Sequence, residues 1–188
     1  MKGIIGLLLL LSIVACGDKT HNAKIAPQDT IYNVKDSKKH ETVLPASNAY
    51  GFDTSYNTST THKPFMVTGF FNPDNTLDTA IIIRHKVTGK DALFIKHGGT
   101  NQTFSIKTGK DVGQNFDNLN WVGEFKIIQK GTKIFDDVIN GEIVGEDQVR
   151  DNKKITLQND GIFIHEDEGG GGGIIYFKNG KYVWVQQD

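Results

Sequence analysis

One cysteine, Cys16, stands in a chain of 188 residues, so no disulfide can close within it and no two-thiol metal or redox motif exists. Charge of one sign is also missing. The 21 Lys and Arg are matched by 22 Asp and Glu, for a formal net charge of -1. Without a basic excess the chain has no patch able to replace several counterions on a polyanion, and no nucleic acid partner is expected. No apolar run reaches the roughly 20 residues needed to cross a bilayer core. H-E-x-x-H, G-x-S-x-G and G-x-x-x-x-G-K-[ST] are all absent, which leaves no motif for zinc hydrolysis, a serine nucleophile or nucleotide binding. No enzyme activity is expected. Helical periodicity is lacking too: no apolar stripe at 3.6-residue spacing persists for three turns.

What is present begins with Lys2 and a short apolar run from Ile4 to Ala15, the length of a signal-peptide core. Its end, Ile13-Val14-Ala15-Cys16, resembles the bacterial lipobox. That resemblance implies a lipoprotein signal peptide over 1–15 and acylation of Cys16. At about 0.8 kcal/mol per buried methylene, two acyl chains suffice for stable anchoring, so the expected partner is a membrane, held through lipid on Cys16. Gly17, where proteins retained at the inner membrane carry Asp, resembles the outer-membrane sorting pattern and implies a lipid-anchored place in the bacterial cell envelope, at the outer membrane. From 16 to 62 the chain is polar with scattered apolar residues, too few to offset the entropy of ordering, and reads as a flexible tether.

From residue 63 to 188 the pattern changes to short runs of Ile, Val, Phe, Tyr and Thr punctuated by Gly, Asn and Asp. This predicts one all-β, antiparallel domain, a sandwich or open barrel. Candidate strands are 65–70, 79–86, 92–97, 103–107, 122–129, 134–139, 142–146, 154–157, 161–165, 174–178 and 181–186. Asn179-Gly180 suits a type I′ turn, which sets Phe177 opposite Tyr182 and Ile175 opposite Trp184. Both faces of that hairpin are apolar, so both should be covered. Asn140-Gly141 should likewise join Ile139 to Glu142. Thr-Gly-Lys-Asp occurs at 88–91 and 108–111 and reads as two similar turns. A tight turn at Thr88-Gly89 would put His85 opposite about Ala92 and His97 opposite about Ala80, so these histidines are not a ligand pair.

The stretch Gly69 to Ile83 joins an acidic turn to the most apolar strand of the exported chain. Asn72, Asp74 and Asp78, with the carbonyl of Thr76, fall at calcium-loop spacing, which makes calcium the one cofactor to test. The same residues can cap their own backbone in an Asx turn. Gly69-Phe-Phe-Asn-Pro-Asp-Asn-Thr-Leu-Asp78-Thr-Ala resembles the FG-GAP or VCBS segment G-D-x-N-x-D-G-x-x-D-x-A. Phe70 stands in place of the first carboxylate and Asn75 in place of the glycine. Together with the terminal Asn-Gly-Lys-Tyr-Val-Trp-Val-Gln-Gln, this is similar to a group of bacterial lipoproteins with one such segment and an aromatic C-terminal hairpin. The resemblance implies an alternative fold, an incomplete propeller-like pair of four-stranded blades.

Glu166, Asp167 and Glu168, followed by Gly169 to Gly173, form a candidate binding loop. The glycines suit a loop that passes close to another backbone. Trp121, Trp184, Tyr176 and Tyr182 read as core packing or, if exposed, as a sugar-stacking platform. The expected function is that of an envelope-anchored, non-enzymatic binding or accessory module for a protein or glycan partner. The alternatives are an inhibitor that presents the 166–173 loop to an extracellular enzyme, and a hydrolase using paired carboxylates such as Asp136 with Asp137, or Glu166 to Glu168.

Overall fold

The structure, a computed structural model, describes residues 49–188. The expected signal peptide, Cys16 and the expected tether up to residue 48 lie outside the described residues. β-Branched and aromatic runs form β1 (Tyr56–Thr58), β2 (Met66–Gly69), β3 (Asp78–His85), β4 (Asp91–Lys96), β5 (Thr103–Ile106), β6 (Glu124–Ile128), β7 (Lys133–Ile134), β8 (Val138–Ile139), β9 (Glu142–Ile143), β10 (Ile155–Thr156), β11 (Gly161–His165), β12 (Gly172–Lys178) and β13 (Lys181–Gln187). Every pairing is antiparallel. In the first sheet β3 pairs with β4 and β4 with β5, while β2 and β1 share the other edge of β3. The second sheet runs β13-β12-β11-β6, and β7–β10 and β8–β9 are two-stranded ribbons.

The inner faces meet in one core. Ile82, Leu93, Ile95 and Ile106 from the first sheet pack in one cluster with Phe125, Ile162, Ile164 and Ile175 from the second. The architecture is therefore sandwich-like, with neither sheet closed into a barrel, and the two sheets are not separate propeller blades. Both outer faces are covered as well. Phe52 and Tyr56 lie over Ile81, Ile83, Ala92 and Phe94 of the first sheet, and Ile134 and Leu157 lie over Ile174, Tyr176 and Val185 of the second. Burial on both faces explains why β3 reads as an unbroken isoleucine run instead of alternating.

The C-terminal hairpin has the expected register, Phe177 facing Tyr182 and Ile175 facing Trp184, across a turn with Asn179 and Gly180 at φ 51° and 83°. Ile139 faces Glu142 across Asn140-Gly141. Other expectations are corrected. The tether does not extend to His62: β1 pairs with β3, and Phe52, Tyr56, Ser59 and His62 are buried. β1 is three residues long with one buried side chain, Tyr56, so no alternating pattern announces it. The expected 134–139 strand is two short strands, β7 and β8, with different partners. His85 donates its amide to the Lys90 carbonyl and Ala92 faces Ile83, because the connection is four residues long and not six. The two Thr-Gly-Lys-Asp segments also differ. The first is a hairpin turn with Gly89 at φ 67°, whereas the second enters a 3-10 turn, Gly109–Val112.

Candidate functional site

The glycine run sets the geometry at one end of the second sheet. Gly169, at φ 65°, turns the chain between β11 and β12. A Cβ on Gly172 would collide with the Ile164 carbonyl and the His165 backbone, so β12 starts hard against β11. A Cβ on Gly173 would lie inside the Trp184 indole. Gly173 therefore lets the indole lean across β12 and present itself at the surface, half-buried.

Two further aromatics complete this surface. Phe116 packs 5.6 Å from Trp184 and 5.8 Å from Trp121, edge-on to the latter. Both indoles have their N–H groups satisfied, Trp121 donating to the Asn118 carbonyl at 2.9 Å and Trp184 to Gln186 Oε1 at 3.0 Å. The three rings line an open groove of about 320 Å3 whose polar rim is Gln114, Asn115, Glu166 and Gln186. Aromatic surface beside a few polar side chains is what a sugar ring or another flat, hydroxyl-rich group needs: a stacking floor with hydrogen-bonding partners at the edge.

Of the expected platform, Trp121 and Trp184 lie in the groove, but Tyr176 and Tyr182 are buried on opposite faces of the second sheet. Tyr182 Oη bonds His97 Nε2 at 2.8 Å. Burial lowers the pKa of His97, against the pull of Asp78 and Asp74, and burial also raises the Tyr182 hydroxyl. Of the binding loop, only Glu166 lines the groove. Asp167 packs where Gly123 has no side chain, and all three acids are exposed. Phe116 carried no sequence signal beyond an isolated aromatic between polar residues.

At the Gly69–Ile83 stretch the oxygens are aimed at backbone. Asp78, fully buried, accepts from the amides of Phe71 (2.8 Å) and Asn72 (3.2 Å) through Oδ2 and from Gly98 (2.9 Å) through Oδ1. Asp74 accepts from the Thr76 amide at 2.8 Å and from Asn72 Nδ2 at 3.0 Å, while Asn72 Oδ1 accepts from the Asp74 amide at 2.9 Å. The Thr76 amide, first, holds the Asp74 carboxyl below its usual range. Four of these five side-chain oxygens thus accept backbone amides and the fifth, Asp74 Oδ2, accepts from Asn72 Nδ2, the pattern of an Asx turn. Asp160 caps the same corner from the second sheet, accepting from the amides of Phe70 and Lys130, both at 2.9 Å.

A buried ion cluster had no sequence signal. Asp91, fully buried, accepts from Arg84 Nε and Nη2, both at 2.7 Å, from His62 Nε2 at 2.7 Å and from Ser59 Oγ at 3.3 Å. His62 Nδ1 lies 2.7 Å from the Val122 carbonyl, so the ring is held between that carbonyl and the Asp91 carboxylate. Burial alone would raise the Asp91 carboxyl, but the Arg84 and His62 bonds and charges outweigh it and bring it down to about 2. Ser59, His62 and Asp91 are buried while the Arg84 side chain reaches the surface, so the cluster ties the 59–62 segment to β3 and β4.

The two candidate carboxylate groups stand apart from each other. Asp136 accepts from the Gln186 amide at 2.8 Å and lines a different cavity from Glu166. The neighbouring Asp137 is pushed up first by burial, and its Oδ1 is buried without a hydrogen-bond partner among the described residues. Fold and site together define an all-β, sandwich-like domain with an aromatic surface groove at one end of its second sheet. Compared with protein-family models, curated proteins and solved structures, the chain matches none.

Proposed function

We propose that this chain is a lipid-anchored, non-enzymatic binding module of the bacterial envelope, and that the groove of Phe116, Trp121 and Trp184 is its seat for a glycan chain. One observation carries the reading: Gly173 gives up its side chain so that the Trp184 indole can lie across the strand and face the groove. Trp184 packs against the main core and is only half-buried, so the same ring is both a core contact and a wall of the groove. Aromatic stacking with the amides of Gln114, Asn115 and Gln186 suits the two faces of a sugar, apolar C–H groups below and hydroxyls at the rim. The lipobox resemblance at Cys16 and the FG-GAP resemblance at 69–80 support a location where polysaccharide is abundant.

Isothermal titration of the full chain with soluble oligosaccharides of envelope polymers tests this. Wild type is expected to bind with affinity in the millimolar to micromolar range, and Trp184→Ala to lose at least tenfold, as expected for a stacking anchor worth about 1.5 kcal/mol. Undiminished binding by Trp184→Ala would overturn the assignment. An inhibitor of an extracellular enzyme is the second reading, favoured by the exposed carboxylates of Glu166, Asp167 and Glu168, none of which has an ion-pair partner among the described residues. That reading predicts loss of partner binding on reversal of these three charges, with Trp184 dispensable.

A further inference from the structure

A second cleft, of about 710 Å3, opens at the opposite end of the β12–β13 hairpin, between its Asn179-Gly180 turn, residues 155–159 and the capped turn at Pro73 to Asn75. Ile155, Tyr176 and Phe177 supply apolar lining. Lys130 and Lys178 supply the only charges, and no Asp or Glu lines it. Two lining residues, Asn75 and Asn179, hold left-handed backbone at φ 56° and 51°, so tight turns fix the rim.

The charges point the same way independently. Lys178 lies directly opposite Lys181 in the hairpin register. Like charges facing each other across a ladder cost stability. Neither of them, nor Lys130, has a carboxylate within ion-pair distance among the described residues. A stability-optimised hairpin would place Glu at one of the two positions. The missing counter-charge is what a bound anion brings.

We propose that this cleft binds an amphipathic organic anion, an alkyl or aryl carboxylate, with its head group on Lys130 and Lys178 and its apolar body against Ile155 and Tyr176, which share the outer face of the second sheet. The site is separate from the glycan groove and does not depend on it. An apolar wall without cations would take neutral and charged ligands alike. A cationic rim without the wall would take inorganic anions as readily as organic ones.

The test is amide NMR of the full chain titrated with octanoate, with octanol as the neutral counterpart and inorganic phosphate as the head group alone. Octanoate is expected to shift amides in 155–159 and 176–180 and to bind about tenfold more tightly than octanol, the preference being lost in Lys130→Gln/Lys178→Gln and weakened by salt. Both lysines are exposed, so the variant should keep the fold. Lys178→Gln alone should raise the Tm slightly by removing the repulsion with Lys181. Equal binding of octanoate and octanol, undiminished octanoate binding in the double variant, phosphate binding as tightly as octanoate, or no shifts in these segments would each overturn the proposal.

Discussion

His62 Nε2 lies 2.7 Å from Asp91 Oδ2, with both side chains buried, and ties the polar segment ahead of β2 to the start of β4. Asp91→Asn should cost about 3 kcal/mol, because the buried His62 and the half-buried Arg84 lose the carboxylate that joins them. Urea unfolding monitored by tryptophan emission would read this as a lower midpoint with an unchanged slope. An effect below about 0.5 kcal/mol would mean that the cluster is incidental.

The same carboxylate predicts an acid response. Its folded pKa of about 2 lies below the ordinary 3.8, so it contributes stability in full above about pH 4 and loses it as pH falls from 3.8 through about 2. The loss should be about 2 kcal/mol in wild type and absent from Asp91→Asn. Denaturation midpoints between pH 5 and pH 2 for the two proteins, with about those limits set by the two pKa values, measure the difference.

Removing residues 50–62 should strip the outer face of the first sheet. Phe52 and Tyr56 shield Ile81, Ile83 and Phe94, and burial of each aromatic is worth about 2 kcal/mol. Aggregation or a large fall in Tm is expected, and unchanged melting would contradict the packing of this segment.

Asp78→Ala should destabilise by about 3 kcal/mol, since three amides lose one acceptor residue in a buried corner. Calcium at about 10 mM should leave the Tm of wild type and variant alone, because no carboxylate stands at the first loop position, where Phe70 sits, and the other oxygens already accept hydrogen bonds within the turn. A calcium-dependent rise in wild type that disappears in the variant would restore the metal reading.

Cys16→Ser should release the protein from membranes in soluble form if lipid on Cys16 is the anchor. Fractionation of cells expressing both forms checks it, and a variant that stays with the membrane would contradict the anchoring proposal.

The C-terminal hairpin was legible because Asn179-Gly180 fixes the turn and therefore every pair behind it, from Phe177 with Tyr182 outward. The turn at 69–78 was legible as a capping device because Asn and Asp compete locally for backbone amides. The Asp91 cluster was not. Its partners Ser59 and His62 lie 32 and 29 residues away, and no periodicity links them. The two Thr-Gly-Lys-Asp segments make the same point, since Asp91 is buried against Arg84 and His62 while Asp111 caps the amides of Lys107 and Thr108. Context decides which. The groove was half legible: Trp121, Trp184 and Glu166 stood out as residue types, but the role of Gly173 appears only once β12 and β13 are in register.

The chain has two tryptophans, so Trp121→Phe keeps an aromatic ring in the groove and leaves Trp184 as the sole indole emitter. Titrating that variant with a glycan that binds wild type reads the proposed seat directly. A saturable blue shift and change in Trp184 emission, with the midpoint equal to the calorimetric Kd, is the predicted result. Binding by calorimetry with Trp184 emission unmoved would place the ligand elsewhere and contradict the account.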